Sequence, residues 1–398
     1  MESQNRTYAF IISAALFFTP YTALRLSNIG IPELLIIVLF FKLLIEDRLD
    51  FNISGNNRFI FTKFWIVFLI ISSLGILANY IILNHVSGTL KGLVFDSSAY
   101  ILIFICCFCL EVIFNNKLIE FRTKKLIKNV YFSISLSLII LFLLSRVTNS
   151  IFGFSLLYQG SFIPFAVNVH HTAMVVAPLP FLGFLVFSEE KRIFKKIFIL
   201  ILVIFNVIVV LNTGSTKAIM GLVIGAMVFM FFVLLKRIKG SNKKFMFITF
   251  FLLVSSTVAI IYWDVIYLSL SNYFVENDLS GARASLYNES LVKGFGSILV
   301  GYGPGAHVQV FQGYYSDAHS TIATAFLQAG LLGLVVFIIF LLRVISKCIN
   351  QPYIIAALTP ILVYAVGGDI LRRLPMWMFM VLFYYYCQKV KNEYRGIK

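Results

Sequence analysis

Apolar runs of about twenty residues recur from residue 8 to residue 390, separated by short basic clusters, and nothing else in this sequence constrains the fold as strongly. A run of that length crosses a hydrocarbon core of roughly 30 Å as an α-helix rising about 1.5 Å per residue. The runs fall at approximately 8–24, 30–46, 59–85, 94–115, 126–146, 168–188, 197–211, 217–235, 245–269, 321–342, 353–368 and 374–390. About twelve helices, an even number, put both termini on one side. With 60% hydrophobic residues, 13% charged residues and a mean hydropathy of +0.92, a soluble domain could not keep so much apolar surface from water. The expected fold class is an all-α polytopic membrane protein, a single integral membrane domain over residues 1–398. The first run begins weakly basic, lacks a small-residue cleavage site and is followed at once by another span, so it reads as a retained helix. Cys106, Cys107, Cys109, Cys348 and Cys387 all lie within or at the ends of apolar runs, which suggests neither a disulfide framework nor a Cys-based metal site.

The excess of 33 Lys+Arg over 17 Asp+Glu would raise the question of nucleic acid in a soluble chain. Here the basic residues sit in short clusters between apolar runs, a topogenic pattern, and no nucleic-acid partner is expected. With the N-terminus in the cytoplasm, 25 of the 33 fall on the inner face and eight on the outer. Those eight are Arg25, Lys91, Arg146, Lys217, Arg283, Lys293, Arg372 and Arg373. Because the inward bias disfavours them, they are candidates for function. Four lie near polar sequence at the ends of late helices: Lys217 in LNTGSTKAIMG, Arg283 in SGARASLY, and Arg372 with Arg373 in GGDILRRLPMW. Gathered at one outer-face cavity they would receive a polyanion such as a diphosphate. Alternatively, Lys217, Arg372 and Arg373 simply snorkel at helix ends. For Lys217 the preceding Thr213, Gly214, Ser215 and Thr216 form a polar turn at a helix start, where backbone N–H groups favour an anion.

Between the ninth and tenth runs lies the one long polar, glycine-rich interruption, residues 270–320, longer than connections usually are unless they work. ARASLYNESLVKGF puts Ala282, Leu286, Ser290 and Lys293 near one face of a short helix, which Leu286 and Leu291 would anchor on the membrane surface. Then GFGSILVGYGPGAH, with Gly294, Gly296, Gly301, Gly303 and Gly305, makes a tight, close-approaching backbone. It is no dinucleotide fingerprint, since no strand–turn–helix surrounds it, and no Walker loop, since Gly-Lys-Ser/Thr does not follow. His319 ends the loop. A neutral imidazole near a carboxylate such as Asp317 suits removal of a proton from a hydroxyl, although a lone histidine at a helix start is often a cap. His307, His170 and His171 are weaker candidates. No His–carboxylate spacing suggests a metal, and no cofactor is expected.

GARASLYNESLVKG, ILVGYGPGAH and DAHSTIATAFLQAGLLGL together resemble the signature region of the O-antigen polymerase and O-antigen ligase superfamily. The shared pattern is an Arg near the start of a large periplasmic loop, a Gly-x-Gly turn, and a His followed by a small polar residue and a helix carrying Gly-x-x-Gly. Arg283, Gly301 and Gly303, His319 and Ser320, and Gly330 and Gly333 fill those places. The Arg-x10-Gly spacing of Arg283 and Gly294 is similar to one in the polymerases. LNTGSTKAIMG looks like the family's Thr-x-Ser-Arg helix start with Lys217 for Arg, and GGDILRRLPMW looks like its last-loop motif. Ser320 stands where Asn is common. Lysine keeps the charge but loses the bidentate fork. Recognisable motifs cover roughly the C-terminal half.

The resemblance implies a metal-independent membrane glycosyltransferase of the bacterial inner membrane, with its active site facing the periplasm. It would transfer an oligosaccharide from an undecaprenyl diphosphate donor to a sugar hydroxyl with inversion. His319 and Arg283 would be catalytic, and Lys217, Arg372, Arg373, Gly301 and Gly303 would bind the diphosphate or substrate. Its partners would be lipid-linked donor and acceptor, membrane lipid, and a chain-length regulator protein. The modest loop and the Arg-x10-Gly spacing favour a polymerase over a ligase acting on lipid A–core. A lipid-linked oligosaccharide flippase also has about twelve helices, but no internal repeat is evident and it has no need of a long outer loop ending in histidine.

Overall fold

The computed structural model describes residues 2–26, 29–48, 59–79, 90–116, 123–238, 240–243, 245–249, 282–311, 314–316 and 318–396. Thirteen helices organise them: α1 Glu2–Phe18, α2 Ile31–Ile45, α3 Ile60–Leu77, α4 Leu90–Asn115, α5 Thr123–Leu144, α6 Val169–Val176, α7 Leu179–Glu189, α8 Ile193–Asn212, α9 Thr216–Arg237, α10 Ala282–Gly294, α11 Thr321–Cys348, α12 Pro352–Gly367 and α13 Leu374–Gly396. The described strands are short two-stranded ribbons in the connections, such as Val308–Phe311 against Tyr314–Ser316. The protein is a multi-pass helical membrane protein. Among the described residues seven spans are long and apolar enough to cross a bilayer: α3, α4, α5, α6 with α7, α8, α9 and α11. The expected first, second and eleventh runs form helices of 17, 15 and 16 residues, the twelfth lies in α13, which is not among the seven, and the ninth, 245–269, lies almost wholly outside the described residues, so the expected number of twelve is not reached among them.

Three helices depart from the simple spans that hydropathy suggests. The sixth run breaks between α6 and α7 at Ala177 and Pro178, where proline removes a helical donor. α12 carries Pro360 in its interior, and Gly221 and Gly225 of α9 meet it. A Cβ on Gly221 would stand 2.8 Å from Pro360 Cα, so only glycine lets the two backbones come this close. α11 opens at Gly330, whose φ of 63° and ψ of −165° are not helical.

The core is aromatic. Trp65, Phe64, Phe61, Phe340 and Trp377 stack between α3, α11 and α13, with Phe64 and Phe340 centroids 4.5 Å apart. α10 does not reach for the membrane through Leu286. That side chain is buried with Ala306, Val308 and Leu327, because the glycine-rich turn folds back under the helix and offers an apolar surface closer than lipid.

Candidate functional site

The break in α11 and the glycine-rich turn form one structure. An unbroken helix would bond Leu331 N–H to Leu327 C=O and Leu332 N–H to Gln328 C=O. Here Leu331 and Leu332 donate to Ile298 and Leu299 carbonyls at 2.7 and 3.2 Å, while Tyr302 and Gly303 N–H donate to Leu327 and Gln328 carbonyls, both at 2.9 Å. The turn is thus let into the helix with its hydrogen bonds exchanged in pairs. Gly301 and Gly303 have φ of 68° and 87° and are buried. A Cβ on Gly301 would lie 2.5 Å from Gln328 C, and one on Gly303 would lie 2.2 Å from Ile76 Cγ1. Both glycines approach protein backbone and helix α3. Asn79 closes the turn from below, donating to Gly301 O at 2.8 Å and to Gly75 O at 2.7 Å.

Asp96, on the second turn of α4, joins this turn to the loop that precedes α13. Its Oδ2 accepts from Gly305 N–H at 3.1 Å and Gln328 Nε2 at 2.9 Å, and His307 Nε2 stands 3.4 Å away. Its Oδ1 accepts from Arg372 Nη1 at 2.8 Å. Arg372 Nε donates to Asp369 Oδ2 at 2.9 Å. Tyr100 donates in turn to Gln328 Oε1. Lys293 reaches the same cluster, its Nζ donating to His307 O at 2.8 Å, and burial lowers its pKa.

Arg373 faces the other way. Its Nη1 lies 2.6 Å from His171 Nε2, and His171 Nδ1 lies 2.9 Å from Thr22 Oγ1. Since arginine only donates, His171 must accept at Nε2 and carry its proton on Nδ1, donating to Thr22. His170 Nδ1 meets Ser215 Oγ at 3.2 Å, and Ser215 Oγ meets the Tyr364 hydroxyl at 2.7 Å. Two residues on, half-buried Lys217 lies across Gly367 and Gly368, its Nζ 3.3 Å from where a Cβ on Gly368 would stand. Any side chain there would displace the ammonium.

The same loop anchors the start of α11. Thr321 Oγ1 donates to Gly368 O at 2.7 Å and accepts from Ile370 N–H at 3.0 Å. His319, two residues earlier, is exposed with φ of 50°, a left-handed turn that redirects the chain into the helix. The structure therefore brings Lys217, Arg372, Arg373 and the His319–Thr321 corner to one end of the bundle, around residues 367–373. Arg283 sits in the first turn of α10, whose last residue, Gly294, and the Phe295 that follows pack on Phe326 of α11. Asp317, the expected carboxylate neighbour of His319, lies outside the described residues.

A family comparison bears on these elements directly. Residues 171–338 match the O-antigen ligase family. The O-antigen ligase match begins at His171 and runs past Lys217, Arg283, the glycine turn and His319 to the middle of α11, consistent with the O-antigen polymerase and ligase superfamily. It implies a glycosyltransferase-like role in O-antigen or polysaccharide assembly. No curated protein matches the chain. Asp96, Arg372 and Arg373 lie beyond the O-antigen ligase segment, yet they touch it through Gln328, His307 and His171. Asp96, Gln328 and Tyr364 are the members of this cluster that the sequence did not single out. The acid in an apolar run was the available signal.

Proposed function

We propose that the chain is a surface-polysaccharide polymerase, a membrane glycosyltransferase that joins undecaprenyl-diphosphate-linked repeat units on the periplasmic side of the inner membrane. The observation that carries this reading is the convergence of Lys217 and Arg373 on the loop that also holds the His319 corner. In the reaction His319 takes the proton of an acceptor sugar hydroxyl. The hydroxyl oxygen forms the new bond to the anomeric carbon from the face opposite the diphosphate, and the bond from that carbon to the phosphate oxygen breaks with its electron pair leaving on the diphosphate. Lys217 and Arg373, with Arg283 at the loop entrance, meet that developing charge, and Arg372 stands behind them. A polar donor set in a water-poor site is worth more to the departing anion than to the resting lipid.

A ligase is the second reading, favoured by the description of the matching family. Purified protein in lipid nanodiscs, given undecaprenyl-diphosphate-linked repeats alone, should lengthen them. Product that forms only when lipid A–core is added would assign the chain to the ligases.

A further inference from the structure

We propose that the Asp96–Arg372 ion pair is a latch that positions the 368–373 loop against the glycine turn, and that Arg372 acts through this latch rather than on the substrate diphosphate. The inference rests on the site described above and reassigns one of its cations. Asp96 is fully buried, about 9 Å along α4 from the helix start. Its carboxylate gathers groups that are 209, 232 and 276 positions away in sequence: Gly305 of the turn, Gln328 just before the α11 break, and Arg372 of the last loop. A buried carboxylate is tolerated in a membrane span only where such partners surround it.

Arg372 is committed to the same cluster. Its side chain is 10% exposed, Nε and Nη1 bond two carboxylates on different elements, and its guanidinium lies 5.9 Å from the Phe95 ring. Asp96 and Asp369 flank that guanidinium with two carboxylates, so it does not present an incoming diphosphate with the field of a bare arginine. Arg373, the next residue of the loop, meets the His171 imidazole, and Lys217 of α9 lies across Gly367 and Gly368 where the loop begins. The latch fixes the loop that carries Arg373 and on which Lys217 rests, which makes Asp96 and Arg372 positioning residues.

Asp96→Asn, Arg372→Gln and the double variant, in the full-length protein in nanodiscs, test this by thermal unfolding and by polymerisation at matched protein amounts. Arg372→Gln leaves two buried carboxylates without their counterpart and Asp96→Asn leaves the guanidinium with Asp369 alone, so each should lower the unfolding midpoint and cut turnover at least about tenfold. In the double variant the two introduced amides can share a hydrogen bond and Gly305 and Gln328 still find an acceptor at position 96, so only Asp369 keeps an uncompensated charge. The midpoint should then rise above that of Arg372→Gln, and turnover should return to within about threefold of wild type. The loss in the single variants should fall on kcat with donor KM unchanged within about twofold. A double variant no more active than Arg372→Gln, or a donor KM raised about tenfold by Arg372→Gln alone, would make Arg372 a substrate ligand and overturn the proposal. Midpoint losses that simply add would remove the latch itself. The thermal measurements need no substrate, so a wild-type protein that polymerises nothing refutes the functional reading and leaves the latch to be decided by the midpoints.

Discussion

At the scale of single residues, the site separates side chains that act on a proton or an anion from those that hold them. His319→Ala should reduce polymer formation by about 10²–10⁴-fold at unchanged membrane levels, the usual contribution of a positioned general base. Unchanged assembly would remove His319 from the chemistry. Lys217→Arg should keep most activity and Lys217→Ala should lose it, because the Gly367–Gly368 surface accepts a long cation and offers no substitute for it. A pH effect is expected at the opposite end of the bundle. Glu190 accepts from Lys128 Nζ at 2.9 Å and from the N–H groups of Lys191 and Arg192, and Lys128 above all holds its carboxyl down to about 2. A folded value below the unfolded one means that this stabilisation is complete above the unfolded carboxylate range and fades as pH falls towards about 2. The midpoint gap between wild type and Glu190→Gln should therefore be constant above about pH 5 and shrink below it; a gap that widens on acidification contradicts the assignment.

At the scale of elements, the decisive features are two places where glycine lets backbones meet. Gly330→Ala puts a Cβ about 2.3 Å from Leu299 C at a left-handed position, which should cost about 3 kcal/mol and separate the turn from α11. Thermal unfolding checks it, and a midpoint equal to wild type would mean that the break is not required. Gly221→Val should push α9 from Pro360 and carry Lys217 away from Gly368, lowering activity more than expression. Most of these helices were legible because apolar length is a one-dimensional property: the tenth run announced α11, and LNTGSTKAIMG announced the start of α9. The break at Gly330 was not legible, since hydropathy continues evenly across it and Gly-x-x-Gly reads equally as a packing face. Nor was the hub at Asp96. A single acid near a span end looks interfacial until residues more than 200 positions away are folded onto it.

At the scale of the whole molecule, α4 carries a fully buried carboxylate at each end, 15 residues or about 22 Å apart. Asp96 gathers the site. Glu111 accepts from Phe61 N–H, Thr62 N–H and Thr62 Oγ1 at 3.1, 2.8 and 2.6 Å and so closes the start of α3, with the Tyr385 hydroxyl of α13 at 3.3 Å. Glu111→Leu should strand those N–H groups and cost roughly 2–4 kcal/mol, measured as a lower midpoint, while activity per folded molecule persists. The expected orientation rests on charge asymmetry, which the sequence displays openly because loops keep their lysines and arginines whatever the packing. A cysteine at exposed Val167, beside the site, should react with a membrane-impermeant thiol reagent in intact cells, and one at exposed Phe194 only after lysis. The native cysteines are all buried and should stay silent, and the reverse labelling pattern would invert the protein. The exchanged hydrogen bonds at Gly330 also impose an order of assembly. The carbonyls of Leu327 and Gln328 and the amides of Leu331 and Leu332 find their partners only in residues 298–303, so in lipid α11 must first enter as a continuous helix. It can open only at the moment the turn docks, which makes maturation of the site a late, single event in biogenesis rather than a property of any segment as it is inserted.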